Sequence, residues 1–164
     1  MRILGVDPGT AIVGYSIVDY EKGKYEIKDY GCIYTHKDED MPHRLEKIYN
    51  ELETLIKLWK PNDMAIEELF FFKNQKTVIK VGQARGVIMV CGQKNNLDIF
   101  SYTPLQVKMG VAGYGRADKK QIQEMVKLLL RMEDIARPDD AADALAIALT
   151  HAATGAASGQ FLMK

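Results

Sequence analysis

The sequence predicts a mixed α/β sheet of five strands covered by helices. Two observations carry this expectation. Three β-rich segments with turn signals between them open the chain, and helix-period segments then alternate with two short apolar runs. The 164 residues, 47% hydrophobic and 27% charged, suffice for one ordinary domain with its own core.

The first strand is residues 2–7, an apolar run that ends in Asp7-Pro8-Gly9-Thr10, a turn signal. Residues 12–19 are β-rich and should pair antiparallel with it. A third strand is expected over 25–34, after the turn at 21–24. From Met41 the period changes. Met41, Leu45, Ile48, Tyr49, Leu52, Leu55, Ile56 and Trp59 fall three or four apart and make one helical stripe, ended by Pro61. Residues 63–68 read as a short buried strand with Glu67 and Glu68 at its carboxyl end. A helix follows over 74–94. It is apolar on more than one side, with small Gly82, Ala84 and Gly86 permitting close approach, as for a second subunit. Residues 97–103 form the fifth strand. Gly110, Gly113 and Gly115 suggest a mobile loop with Tyr114 and Arg116 at its tip, before helices at 118–131 and 138–152. The domain is expected over 1–153, and the small, polar residues 154–164 as a flexible tail.

An aspartate inside the first apolar run argues against a signal peptide, and no stretch approaches the roughly 18 apolar residues of a membrane span. No membrane partner is therefore expected. Cys32 and Cys91 have no CxxC spacing and read as thiols in a reducing cytosol, which points to a cytoplasmic protein. Net charge is zero but unevenly spread. Residues 1–72 carry net −5, residues 73–131 net +8, and residues 132–164 net −3. A basic block between acidic flanks is an electrostatic footprint of phosphate binding, although solvated helix faces give the same count.

Four carboxylates stand out. Asp7 and Glu67 each close a buried strand, where a charge is costly without a counter-charge and where α/β sheets collect ligands. Asp140 and Asp143 are three apart and share a helix face, where like charges repel. Simpler explanations exist: an Asx-turn at Asp7, a solvated strand end at Glu67, and a favourable helix N-terminus for Asp139 and Asp140. Together the four can build an all-oxygen site for a hard cation such as Mg²⁺. Two such ions about 4 Å apart suit phosphodiester hydrolysis.

The segments Val6-Asp7-Pro8-Gly9-Thr10, Ala65-Ile66-Glu67-Glu68-Leu69-Phe70, Val81-Gly82-Gln83-Ala84-Arg85-Gly86, Gln106-Val107-Lys108, Ala117-Asp118-Lys119-Lys120-Gln121 and Asp140-Ala141-Ala142-Asp143-Ala144-Leu145-Ala146 closely resemble the RuvC family of crossover junction endodeoxyribonucleases. The likeness runs in order from residue 2 to about His151. It implies an RNase H-like fold, a homodimer, and paired nicks across a four-way DNA junction. It implies Asp7, Glu67, Asp140 and Asp143 as ligands of Mg²⁺, two ions per site, with Mn²⁺ as a substitute. It also implies partnership with the RuvA–RuvB branch-migration complex. By position Phe70 matches a junction-stacking aromatic, and Lys108 and Lys119 match important basic residues. Lys73, Lys76, Arg116 and Lys120 lie in the basic block and are further candidates for DNA contact. Asp139 beside Asp140 is a competing ligand. On residues alone, a sugar-kinase-like phosphate turn, a non-catalytic DNA-binding module and an RNase H remain alternatives. The first needs two domains, which 164 residues do not supply.

Overall fold

The computed structural model describes residues 1–69 and 75–163, the side chains at 75, 76 and 156–158 excepted. Strands β1 (Arg2–Asp7), β2 (Ile12–Glu21), β3 (Lys24–Tyr34), β4 (Asp63–Glu67) and β5 (Asp98–Tyr102) form one sheet in the order β3-β2-β1-β4-β5. The β1–β2 and β2–β3 pairs are antiparallel; β1–β4 and β4–β5 are parallel. Helices α1 (Met41–Trp59) and α2 (Gln75–Lys94) cover one face. Helices α3 (Pro104–Ala112), α4 (Lys119–Leu129) and α5 (Asp139–Thr154) cover the other. The expected five-stranded mixed sheet with helices on both faces is what the chain forms.

Strand alternation divides the core. Ile3, Ala65 and Phe100 face α3, α4 and α5, whereas Leu4, Val6, Met64, Ile66 and Ile99 face α1 and α2. Both strand faces are buried, so β1 and β4 read as continuous apolar runs. Helix α5 lies unusually close to the sheet. A methyl group on Gly5 would strike the Ala144 carbonyl oxygen, and one on Gly14 would strike that of Asp140. Ala141, Ala144 and Ala148 are fully buried along that contact. The buried Ser16 hydroxyl donates to the Ala144 carbonyl at 2.8 Å. Farther along α5, the His151 ring lies 2.7 Å from the Tyr102 hydroxyl and 2.9 Å from Asp63 Oδ2, a buried polar chain joining α5 to β4 and β5.

One expectation changes. The segment read as a glycine-rich mobile loop contains α3 over Pro104–Ala112. Thr103 caps it in a reciprocal box with Gln106, Pro104 occupies the first turn, and Gly113 ends it in the left-handed region. After α5, a 3₁₀ turn runs over Gly155–Phe161. Phe161 stacks on Tyr102 at 5.0 Å, Leu162 bridges to Phe100, and the Met163 N–H donates to the Ile99 carbonyl at 2.8 Å. Apolar burial by Phe161, Leu162 and Met163 outweighs the small, polar character of the residues before them.

On α2, Ala84, Ile88 and Cys91 are buried in the core, while Ile79 and Val90 are 64% and 55% exposed. Gly82 faces Leu69 of its own chain. No helix among the described residues is long and apolar enough to cross a membrane.

Candidate active site

Asp7 and Glu67 end the neighbouring parallel strands β1 and β4, so they reach the same rim of the sheet. Alternation turns both toward α5, because Val6 and Ile66 before them face α1 and α2. Gly14, opposite Asp7 in the β1–β2 register, receives the backbone of Asp140. That contact sets the first turn of α5 over the rim, and Asp143 follows one turn on. Small residues at Gly14, Ala141 and Ala144 thus bring two helix carboxylates to two strand carboxylates.

The crowding shows in their proton affinities. Burial, and then the charges of Glu67, Asp143 and Asp140, push the Asp7 carboxyl up to about 8 against the opposing effect of Lys119. Burial and Asp143 push Glu67 up to about 7, again opposed by Lys119. Asp143 is raised as well, chiefly by burial. The Lys119 ammonium lies 3.2 Å from Asp143 Oδ2 and 3.3 Å from Asp139 Oδ2. Burial alone would lower its pKa, but the two carboxylates raise it overall. Lys119 is held at the start of α4 by a capping box between Asp118 and Gln121. Asp139 pairs with Lys119 and Arg137 and accepts from Gln123 Nε2 at 3.3 Å, and these partners lower its pKa.

Lys108, on α3, lines a hollow of about 230 Å³ together with Glu67, Lys119 and Asp143. Capping residues Thr103 and Gln106 were the local signal for the helix that carries it. Arg116 and Lys120 are exposed nearby in sequence, with no ion pair among the described residues. Glu68 points to the opposite face and borders a separate cleft with Arg85. Phe70 and Lys73 lie outside the described residues, as does the Lys76 side chain.

Among the described residues, no three acidic, histidine or cysteine side chains converge tightly enough to enclose one ion unaided. The donor set nevertheless fits a hard divalent cation, which is usually held by one or two carboxylates and keeps several waters. Mutually repelling carboxylates with raised proton affinity are groups that such a cation stabilises as anions.

A family model described as crossover junction endodeoxyribonuclease RuvC matches residues 3–151. The chain belongs to the RuvC family. A relative of that name from Fusobacterium nucleatum is 60% identical over 92% of this chain and 80% of its own length. The RuvC of Alkaliphilus oremlandii is 52% identical over the full length of both chains. Thermus thermophilus RuvC, solved in complex with a Holliday junction substrate, superposes with a TM-score of 0.91 at 31% identity, covering 99% of this chain and 98% of that one. The sheet order and flanking helices are thus those of an RNase H-like RuvC fold. Membership in the RuvC family implies a divalent metal.

The raised carboxyls predict a pH-dependent response to metal. The folded state binds a proton at Asp7 and Glu67 up to about 8 and 7, against ordinary values of 3.8 and 4.5. The unfolded chain therefore holds fewer protons across that window, and metal-free stability falls as pH rises through it. Melting without metal should drop between about pH 6 and about pH 8.5, and Mg²⁺ should raise the melting temperature more at the higher pH. Equal Mg²⁺ shifts at both values, by calorimetry, would contradict the clustering.

Proposed function

We propose that this chain is a structure-selective endonuclease that resolves Holliday junctions by paired, symmetric, metal-dependent nicks in DNA recombination and repair. The observation that carries the reading is the meeting of Asp7, Glu67, Asp140 and Asp143 at one sheet rim in a chain of the RuvC family. In this reading the four carboxylates hold Mg²⁺, two ions per site, with Mn²⁺ as a substitute. The chemistry such ions supply when bound is activation of the attacking water and stabilisation of the leaving oxygen. Asp7 and Glu67 anchor the site from the rigid sheet, and Asp140 and Asp143 complete it from α5. Lys119, now against Asp143, would be available to a DNA phosphate if a bound cation took over the charge of that carboxylate. Lys108 brings a second positive charge to the same hollow. Arg116 and Lys120, which are exposed, and Lys73 and Lys76, which share the basic block of the sequence, are further groups proposed to contact the duplex arms.

The test is incubation of the protein with a synthetic four-way junction, matched linear duplex and Mg²⁺. Symmetric nicks in the junction alone are expected. Equal cutting of the linear duplex, or of an RNA–DNA hybrid, overturns the reading. Ca²⁺ should support junction binding with poor cutting, because its looser coordination misplaces the attacking water.

Phosphate contacts set affinity but do not distinguish a junction from a duplex. Phe70, three residues after Glu67, is the group proposed to stack on a base at the open centre. Phe70→Ala should lose cutting more than binding, by roughly the 1–3 kcal/mol of one base–aromatic stack. Lys119→Ala should weaken binding and flatten the salt slope by about one unit. Fluorescence from 2-aminopurine at the junction centre reads the first; binding titrations at several salt concentrations read the second. Identical 2-aminopurine signals from wild type and Phe70→Ala would remove the stacking role.

Paired nicks call for two sites at a fixed distance, which a C2 homodimer supplies. Ile79, Gln83, Gly86 and Val90 lie along one outward line of α2, the surface proposed for it. Val90→Glu should shift sedimentation toward monomer and uncouple the two nicks. An unchanged dimer would place the interface elsewhere. The same reading puts the protein in the cytoplasm beside the RuvA–RuvB branch-migration complex.

A further inference from the structure

Glu67 ends its strand with an incomplete ladder. The Glu68 N–H donates to the Tyr102 carbonyl at 2.8 Å, so residue 68 faces β5. In a parallel sheet successive residues turn to opposite neighbours, and the carbonyl of Glu67 therefore faces β1. With Val6 opposite Ile66, the donor due at that carbonyl is the N–H of residue 8. Residue 8 is proline and has none. A partly buried carbonyl left without a donor is costly, and it leaves the end of β4 free to twist.

The missing donor comes from α2. Arg85 Nε donates to the Glu67 carbonyl at 3.2 Å, and one terminal amine donates to Ser101 Oγ, on β5, at 3.0 Å. The other terminal amine lies 3.2 Å from Met89 Sδ. The guanidinium is half-buried and has no carboxylate within ion-pair distance among the described residues. It lines a cleft of about 660 Å³ beside β5, together with Glu68, Ser101 and Gln106.

We propose that Arg85 is a positioning residue for the nuclease site: it replaces the ladder donor that Pro8 cannot supply, and so fixes the peptide from which Glu67 projects. The inference rests on Glu67 acting as a metal ligand. It joins two sequence motifs through one atom. Pro8 opens the turn after Asp7 at the cost of a donor for the neighbouring strand, and Arg85 restores that donor from behind the sheet.

The test uses the full chain with a synthetic junction. Arg85→Met keeps the length of the side chain and removes the donors. Single-turnover cutting should slow by about 10- to 100-fold, the usual effect of losing a group that orients a metal ligand. Junction affinity in Ca²⁺ should stay within about twofold, and the Mg²⁺-induced rise in melting temperature should shrink. Arg85→Lys should recover part of both. Pro8→Ala returns an N–H at residue 8. In a double-mutant cycle it should restore rate in the Arg85→Met background beyond any effect it has alone. Strictly additive effects overturn the proposal. So do a wild-type rate and Mg²⁺ response in Arg85→Met, or a loss confined to junction affinity. If Arg85→Met does not fold, Ser101→Ala removes the second acceptor that holds the guanidinium. A slower cut and a smaller Mg²⁺ shift then support the role, and wild-type values overturn it. Glu67→Gln in the same assay separates the two readings. If it cuts normally, the metal-ligand assignment fails; if it is inactive while Arg85→Met behaves as wild type, only the role of Arg85 fails.

Discussion

Glu67→Gln is expected to cut a four-way junction about a hundredfold to a thousandfold more slowly than wild type while binding it as tightly. That is the scale of removing one preorganised electrostatic group from a reacting centre. Asp7→Asn, Asp140→Asn and Asp143→Asn should behave alike, because the four carboxylates act as one cluster and their effects do not add. Binding survives because phosphate affinity comes from the basic surface. The amide of Asp7→Asn also removes a buried acid whose pKa stands at about 8, so the metal-free protein should melt higher at alkaline pH even as it loses activity. Asp139→Asn is the control. Its carboxylate is occupied by Lys119, Arg137 and Gln123, and most cutting should remain. Gel-based cleavage beside binding in Ca²⁺ separates the effects. A Glu67→Gln protein that cuts at the wild-type rate would remove Glu67 from the site.

Gly14→Ala is expected to damage the site without touching a charged group. The added methyl would overlap the Asp140 carbonyl oxygen, a backbone atom of a helix packed along its length on β1 and β2. The helix must lift, or β2 must bend. Overpacking of this kind costs about 1–3 kcal/mol, and here the displaced segment carries two of the four carboxylates. A shift of about 1 Å at a reacting centre can cost a hundredfold in rate. The expected protein is less stable by calorimetry and cuts at least about a hundredfold more slowly, with junction binding kept. Wild-type cutting in Gly14→Ala would mean that α5 tolerates displacement and that carboxylate spacing is not critical.

How legible the fold was depended on what each element needed from distant partners. The five strands follow from alternation and apolar runs, which strand burial imposes locally. Helix α1 follows from its stripe. Helix α3 was obscured because Gly110, Gly113 and Gly115 dominate the eye, whereas the Thr103–Gln106 capping box that starts the helix is a four-residue signal. The contacts that Phe161, Leu162 and Met163 make with β5 are hidden in the sequence by the small residues before them. At the site, strand-end positions made Asp7 and Glu67 visible. The competition between Asp139 and Asp140 could not be decided from sequence, since both suit a helix N-terminus. Lys119, Arg137 and Gln123 gather around Asp139 and not around Asp140, a difference that appears only in the packed chain. Arg85 stood in the basic block as one cation among many. The vacancy it fills at the Glu67 carbonyl follows from the β1–β4 register, a pairing across about sixty residues that no local pattern encodes.

The docking of Leu162 and Met163 beside β5 bears on how the protein survives at high concentration. β5 is an outer strand of the sheet, and an outer strand offers free amide and carbonyl groups to any passing chain. The last described residues occupy that border themselves, by the Leu162–Phe100 bridge and the Met163 bond to Ile99. The opposite border, β3, is guarded differently, by the charges of Lys24, Glu26 and Lys28 and by an irregular register against β2 at Ile17 and Val18. One margin is partly covered by Leu162 and Met163 and the other carries charges. Without Leu162 and Met163 the backbone of Ile99 and Phe100 would stand open to pairing with another strand, a hazard unrelated to catalysis.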